Sequence, residues 1–372
     1  MFSILRPFLF NLDPETAHDL AIKSLKLNVI PEKFFKVENE EILETTFLKR
    51  KIKNPIGLAA GFDKSAEVYS QLSKFGFGLI EVGTVTPRKQ FGNPKPRIFR
   101  LEEDEALINR LGFNNDGLET IAKRLDLRTD TSFSLGVNIG PNFDSSNYEA
   151  DFLQCLYNIM KYSLADYVTI NISSPNTKNL RDFHDVEKLE SLMKDINKLK
   201  KNPIPTKNMS IFLKKEIGLP EKEIVDMPIF LKVSPDIEDS SIEKISEIII
   251  KHSISGVILT NTSNKNRTSL KSYDKEEEGG LSGKPIKDLS TKLIKSFYKK
   301  LKGKAYIIGV GGIDSGKSAF EKIAAGANVI QLYTGMIYKG PGIVKEIKKE
   351  LIEILKSKDL KNINDAIGLD ID

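Results

Sequence analysis

The sequence predicts a closed (β/α)8 barrel of the TIM type, preceded by a short helical segment that docks on a membrane, and three observations predict the barrel. First, eight short runs rich in Val, Ile and Leu recur along the chain, each followed by a turn and a helically patterned stretch. They occupy residues 54–61, 78–84, 134–140, 167–173, 229–235, 256–262, 305–312 and 329–335. Near-continuous apolar runs suit strands buried on both faces, and strand–helix alternation requires a parallel sheet. Second, the repeat covers about 280 residues, close to the ~250 of a typical barrel. Third, polar residues and glycine gather where nearly every run ends, as in GFDK, GTVT, NIGPN, NISSPN, KVSPD, TNTS, GVGG and YTG. In a barrel those ends share one rim and converge on one ligand. A doubly wound open sheet is the alternative that alternation alone permits.

Residues 1–50 lie outside the repeat, 51–355 form the barrel, and 356–372 are left as a C-terminal tail. The N-terminal segment reads as two helices, about 2–10 and 14–27, the second opened by Asp13 as N-cap with Pro14 at the first helical position. Phe2, Ile4, Leu5, Phe8, Leu9, Phe10, Leu12, Leu20, Ile22, Leu25 and Leu27 give it more apolar cover than two short helices need. Two readings stand side by side. It is a cap packed over one end of the barrel, or an interfacial amphipathic segment with Arg6, Lys23 and Lys26 at its polar edge. Residues 193–228, before the fifth strand, read as a Lys-rich surface excursion without chemistry.

Composition excludes several classes. Lys and Arg number 56 against 51 Asp and Glu, a net charge of +5 with no dense basic tract, which argues against nucleic acid as the main partner. A single cysteine, Cys155, rules out an internal disulfide and fits a reducing compartment. His18, His184 and His252 show no ligand spacing, so no metal is expected. No run approaches the roughly 20 apolar residues of a membrane span. The apolar start is broken by Arg6 and Pro7 without a small-residue cleavage site, which argues against a secretory signal.

The rim residues contain no Ser/His/Asp set, no paired carboxylates and no metal cluster. They are amides (Asn109, Asn138, Asn171, Asn176, Asn261), hydroxyls (Thr84, Ser173, Ser174, Thr260, Thr262), the lysines Lys64 and Lys232, and glycines. Such a set hydrogen-bonds a flat, heteroatom-rich ligand and leaves the hard chemistry to an organic cofactor. Gly309–Gly312 after the seventh strand and Tyr333–Gly335 after the eighth occupy the place where barrels commonly bind phosphate. One such glycine turn means little; two on consecutive strands favour phosphate. Lys232 at the end of a buried strand needs an anionic partner. That partner is either a ring such as a reduced isoalloxazine or a nearby Asp or Glu. Residues 311–318 match G-x-x-x-x-G-K-S, the spacing of a nucleotide P-loop. They sit in the seventh unit with no later apolar strand ending in Asp to hold magnesium, so Lys317 and Ser318 read as the first exposed turn of a barrel helix.

NLDPETAH, NPIGLAAGFDK, GFGLIEVGTVTPRKQFGNPKPRIFRL, LINRLGFNN, NISSPNTKNLR, GVILTNT, GGLSGKPI, IIGVGGIDS and QLYTGMIYKGP together resemble the class 2, quinone-dependent dihydroorotate dehydrogenases from about residue 5 to 350. The resemblance implies one FMN on the C-terminal rim, contacted by Ala59, Ala60, Gly61, Phe62, Asp63, Thr84, Asn138, Asn171, Lys232, Thr260, Gly283, Gly312, Tyr333 and Thr334. It implies a dihydroorotate site formed or bordered by Lys64, Asn109, Arg110, Leu111, Gly112, Phe113, Asn171, Asn176, Asn261 and Thr262. Ser174 falls on the family's catalytic base, with Thr177 and Phe113 lining the proton relay. His18, Arg100 and Tyr333 border a quinone tunnel under the N-terminal helices.

Serine in place of the cysteine usual in class 1, together with the N-terminal extension, points to a quinone as oxidant. The implied reaction is (S)-dihydroorotate to orotate in pyrimidine synthesis, by a monomer on the cytoplasmic face of a bacterial inner membrane. The long 193–228 insertion and the charged loop 270–280 depart from the family pattern without touching a motif. Three competing readings are an FMN barrel reductase with a soluble acceptor, a P-loop NTPase and a non-enzymatic membrane adaptor.

Overall fold

The computed structural model describes residues 2–31, 35, 38–203, 217–220, 226–265 and 267–371. The eight apolar runs are the eight barrel strands: β3 (Ile56–Leu58), β4 (Leu79–Val85), β7 (Ser134–Ile139), β8 (Tyr167–Asn171), β9 (Ile229–Val233), β10 (Gly256–Leu259), β12 (Tyr306–Val310) and β13 (Val329–Leu332). Every neighbour in the closed ring is parallel, and the ring shuts where β13 pairs β3, Ile330 opposite Ile56 and Leu332 opposite Leu58. That pairing excludes the open sheet. All strands but β4 stop one to three residues before their apolar runs do. The last residues, such as Ala59 to Gly61 and Thr260 to Thr262, leave the ladder and line the rim.

Between and after the strands run α3 (Tyr69–Ser73), α4 (Leu118–Asp126), α5 (Tyr148–Lys161), α6 (Val186–Lys201), α7 (Asp239–Lys251), α8 (Lys287–Leu301), α9 (Gly316–Ala324), α10 (Thr334–Lys339) and α11 (Ile343–Ser357). Each long helix buries one stripe on the barrel. In α4 it is Leu118, Ile121, Ala122 and Leu125, at the spacing that one helical face requires. The Lys-rich excursion needs correction at its start. Residues 193–201 belong to α6, whose Leu192, Met193, Ile196 and Leu199 are buried while Lys188, Lys194, Lys198 and Lys201 face solvent. Residues 204–216 and 221–225 of that excursion lie outside the described residues.

The bottom of the barrel is plugged. A hairpin of β1 (Thr45–Phe47) and β2 (Arg50–Ile52) inserts Phe47 among Tyr167, Phe230 and Tyr306, at ring-centroid distances of 5.8, 5.8 and 5.4 Å. The tail is folded under it, with Ile363 and Ala366 buried and Asn364 Oδ1 accepting from Thr45 Oγ1 at 2.5 Å. Access to the interior is therefore from the C-terminal rim. Over that rim lies a three-stranded antiparallel sheet that the apolar runs did not announce: β5 (Ile98–Leu101), β6 (Ala106–Asn109) and β11 (Gly280–Gly283), in the order β11-β6-β5.

The two N-terminal helices, α1 (Phe2–Phe10) and α2 (Pro14–Lys26), match their expected spans, and Asp13 Oδ1 accepts from the N–H groups of Glu15 and Thr16. The segment has two unlike faces, one packed on the barrel as a cap and one apolar and exposed. Ile22 and Leu25 pack into the core, and Arg97 clamps α2 through a two-pronged bond to the Glu15 carboxylate at 3.0 and 2.6 Å. Ile4 and Phe8 are each 70% exposed, beside exposed Leu5, Leu12 and Leu20. Among the described residues no helix is long and apolar enough to cross a membrane.

The P-loop match resolves into helix capping. Ser315 and Ser318 form a capping box at the start of α9, the Gly316 N–H donates to Glu350 Oε2 at 2.6 Å, and Lys317 points to solvent. Ser318 is buried, not exposed as the sequence suggested, because its hydroxyl serves the cap.

Candidate active site

The strand ends and the rim sheet surround a cavity that opens to solvent. Its floor is polar. Thr84, Asn171, Thr260, Asn261 and Thr262 reach it from the ends of β4, β8 and β10, and Lys232 from inside β9. Lys232 is 5% exposed, and among the described residues no hydrogen bond or ion pair holds its ammonium. Burial pushes its pKa down, and the charge of Glu81 opposes that shift. A buried ammonium with free donors on a cavity wall is suited to an anionic ring edge.

At the far end of the cavity glycines bring bare backbone to the wall. Gly312 has φ +70°, and a Cβ there would lie 2.5 Å from the Cβ of Lys287; Gly283 has φ +98°, and its Cβ would meet Glu105 O at 2.5 Å. Thr334 Oγ1 donates to Ser282 Oγ at 2.9 Å. Only glycine fits such close, left-handed turns.

Ser174 lies on the loop after β8, 5% exposed, and its Oγ accepts from the Asn176 N–H at 3.3 Å. Among the described residues no histidine or carboxylate is hydrogen-bonded to it. Arg181 holds this loop from behind: Nε donates to Ser173 O and Nη2 to Thr262 O, both at 3.2 Å, while Nη1 pairs with Asp236 at 3.1 Å. Phe113, with φ +55°, closes the side of the cavity next to Leu111 and Gly112.

At the mouth Lys64 Nζ lies 3.2 Å from His18 Nε2. Burial and the Lys64 charge push His18 well below its ordinary pKa, so its ring is neutral at physiological pH. Burial also lowers Lys64, to about 8, against the opposing charges of Glu15, Asp19 and Asp63. The His18 ring meets Phe62 edge-on at 5.1 Å, and Phe62 meets Tyr333 at 6.3 Å, where burial raises the phenol to about 12. Arg100 donates to the carbonyls of Phe10 and Leu12 at 3.0 and 2.8 Å and stacks on Phe10.

The sequence model of the family described as Dihydroorotate dehydrogenase matches residues 42–355. The chain belongs to the dihydroorotate dehydrogenase family. Among its relatives is a protein of Psychrobacter sp. named dihydroorotate dehydrogenase (quinone), 43% identical over 348 residues, which cover 93% of this chain and 95% of the relative. The mitochondrial dihydroorotate dehydrogenase (quinone) of Mus musculus is 39% identical over 370 residues, 96% of this chain and 87% of that one. The Eimeria tenella dihydroorotate dehydrogenase crystallised with ferulenol superposes with a TM-score of 0.85 at 39% identity, covering 96% of both chains.

Of the residues that the family resemblance singled out, the cavity gathers Ala59, Ala60, Gly61, Lys64, Thr84, Asn109, Leu111, Gly112, Phe113, Asn171, Ser174, Asn176, Lys232, Thr260, Asn261, Thr262, Gly283, Gly312, Tyr333 and Thr334. Seven stand behind its wall. Asp63 is buried and accepts from the Glu67 and Val68 N–H groups, which fixes the turn below Lys64. Phe62 wedges between His18 and Tyr333. Arg110 turns outward to Glu277 and the Phe99 ring. Asn138 lies beneath the floor with its Nδ2 on Glu81, Thr177 is buried three residues after Ser174, His18 is itself part of α2, and Arg100 holds the carbonyls of Phe10 and Leu12 at the end of α1.

Sequence reading of this dehydrogenase fold missed three groups. Arg181 was legible only as part of NLR, and Arg97 and Glu15 as two unrelated charges 82 positions apart. Glu81 had a signal that went unread, a lone carboxylate inside an otherwise apolar strand run.

Proposed function

We propose that this protein oxidises (S)-dihydroorotate to orotate, with FMN as cofactor and a membrane quinone as final oxidant, the oxidation step of pyrimidine synthesis. The observation that carries the reading is the cavity itself: Ser174, Lys64 and the amides of Asn109, Asn171, Asn176 and Asn261 face one space with the unpartnered ammonium of Lys232.

The residues present fit FMN. Lys232 offers donors to a ring edge that gains negative charge, and the Gly283 and Gly312 turns make room for a phosphate against backbone. Thr84, Asn171, Thr260 and Thr334 would hold the ring and its tail, with Ala59, Ala60, Gly61 and Tyr333 packing beside them. When bound, FMN would supply the hydride acceptor that oxidation at C6 of dihydroorotate requires.

The chain's own residues do the rest. Lys64 matches the substrate carboxylate, and the asparagine amides satisfy both donors and acceptors of a dihydropyrimidine ring. Ser174 takes the C5 proton. A serine is a weak base, so as its Oγ takes the C5 proton its own hydroxyl proton must leave to solvent water along a path lined by Phe113 and Thr177.

On this reading residues 1–50 are the docking segment, 51–355 the FMN-binding barrel and 356–372 a tail packed beneath it. The exposed apolar face of α1 and α2 rests on the lipid surface, and a quinone enters between them toward His18, Arg100 and Tyr333. The protein is a peripheral monomer on the cytoplasmic side of a bacterial inner membrane. The test is turnover of dihydroorotate by purified protein with a short-chain quinone, fumarate or NAD as acceptor. Quinone-dependent orotate formation is expected; turnover with fumarate or NAD but not quinone overturns the proposed oxidant.

A further inference from the structure

Glu81, on β4, is fully buried inside the barrel below the cavity. Its carboxylate accepts from four neutral donors: Asn138 Nδ2 at 2.9 Å, and Tyr167 Oη, Thr169 Oγ1 and Gln331 Nε2 at 3.1 Å each. Among the described residues no lysine or arginine is hydrogen-bonded to it. A carboxylate has no hydrogen to give, so every group facing it must turn an N–H or O–H inward. Gln331 shows how firm that demand is. It turns Nε2 to Glu81 and Tyr167 while its own Oε1 stays buried without a protein partner. The Tyr167 phenol stays protonated, its pKa raised well above the usual range by burial and by the Glu81 charge.

The orientation then propagates. With Asn138 Nδ2 turned down to Glu81, its Oδ1 points up and accepts from Thr84 Oγ1 at 2.7 Å and Asn171 Nδ2 at 3.1 Å. That fixes Asn171, whose Oδ1 accepts from Ser173 Oγ at 3.0 Å and from Asn261 Nδ2 at 3.3 Å. Asn261 Nδ2 donates also to Ser173 Oγ at 2.9 Å, and its Oδ1 accepts from the Thr262 N–H at 2.9 Å. An asparagine amide has nearly the same shape in either orientation, so a chain of three could run either way. A group that only accepts, placed at one end, removes one of the two directions.

We infer that Glu81 is a positioning residue that sets the donor–acceptor direction of the chain Asn138, Asn171, Asn261 and, through Asn171, the conformation of the loop carrying Ser174. Glu81 and Asn138 do not reach the cavity, whereas Thr84, Asn171 and Asn261 line it. The inference deepens the proposed site and rests on that reading.

The test uses the FMN-loaded protein and orotate as the probe, with binding read from the shift of the flavin spectrum. Glu81→Gln keeps the shape but offers an amide, so Asn138 is free to turn over. Orotate affinity is expected to fall roughly tenfold or more, as for a lost hydrogen bond in a buried network, with flavin content unchanged. Asn138→Ala should produce a comparable loss, and the double variant should be no worse than Asn138→Ala alone. Tyr167→Phe removes a donor from the same carboxylate without touching Asn138, and should leave orotate affinity within about twofold of wild type. Three results would overturn the inference: Glu81→Gln binding orotate like wild type, additive losses in the double variant, or an equal loss in Tyr167→Phe, which would make Glu81 simple barrel filling. If Glu81→Gln does not fold, or wild type binds no orotate and the proposed reaction itself fails, neutron diffraction of the deuterated wild-type protein decides. Deuterons on Nδ2 of Asn138, Asn171 and Asn261 should face Glu81, Asn138 and Asn171 in turn, and any one reversed overturns the inference.

Discussion

Lys64 Nζ lies 3.2 Å from His18 Nε2, so the lysine assigned to the substrate carboxylate is hydrogen-bonded to a histidine carried by the N-terminal helical segment. The His18 ring is neutral and accepts, which leaves the positive charge on the lysine free for an anion.

That charge has a pH limit. Burial lowers Lys64 to about 8 in the ligand-free protein, and only the protonated form attracts a carboxylate. Orotate affinity should be flat below pH 8 and fall as pH rises through it, approaching roughly tenfold per unit. Lys64→Met should weaken binding by roughly ten- to a hundredfold and abolish the pH dependence. Binding measured across pH 6 to about 10 checks both; affinity that holds unchanged to the upper end, near the ordinary lysine pKa, counts against the assignment.

Ser174→Ala removes the group proposed to take the C5 proton. Flavin reduction by dihydroorotate should slow by about 10² to 10⁴, the usual worth of a general base, with FMN content unchanged. Stopped-flow absorbance gives the rate. Reduction at the wild-type rate removes Ser174 from that role.

Gly312→Ala places a methyl group 2.5 Å from Lys287 Cβ at a backbone φ of +70°. Stability should drop by about 1–3 kcal/mol from the strained conformation, and the flavin-to-protein ratio should fall with it. A variant that purifies with full flavin and an unchanged melting temperature would show that the turn tolerates a side chain and that the glycine is not needed for the ligand.

Ile4 and Phe8 are each 70% exposed on α1. The double substitution Ile4→Glu, Phe8→Glu should sharply reduce sedimentation with phospholipid vesicles and turnover with a long-chain quinone, while reduction by dihydroorotate proceeds at the wild-type rate. Equal loss of both half-reactions would make the segment a structural cap alone.

Much of this fold is legible in the sequence because a parallel barrel buries its strands on both faces, so each strand stands out as a short Val/Ile/Leu run with its rim residues directly after it. The start of α2 is equally plain, since Asp13 and Pro14 act through local backbone chemistry. The rim sheet is not legible in that way. Its strands are only four residues each, of mixed burial, and β11 pairs with β6 from some 170 positions away, Leu281 opposite Ile108. Helix α6 was hidden by its solvent face, where Lys188, Lys194, Lys198 and Lys201 alternate with the apolar residues of its buried stripe, Leu189, Leu192, Met193, Ile196 and Leu199. The cavity residues could be named from motifs, whereas the groups that orient them could not. Arg181, Glu81 and the Arg97–Glu15 clamp act through partners brought close only by the fold, and no local pattern marks such a pair.

The most direct test is an anaerobic titration of the purified protein followed in the visible spectrum. Flavin bands near about 370 and 450 nm should bleach on addition of dihydroorotate and return on addition of a short-chain quinone, as they must if a bound flavin carries the redox chemistry between them. Bands that dihydroorotate leaves unbleached, or a colourless protein that takes up no added FMN, would contradict the proposed reaction.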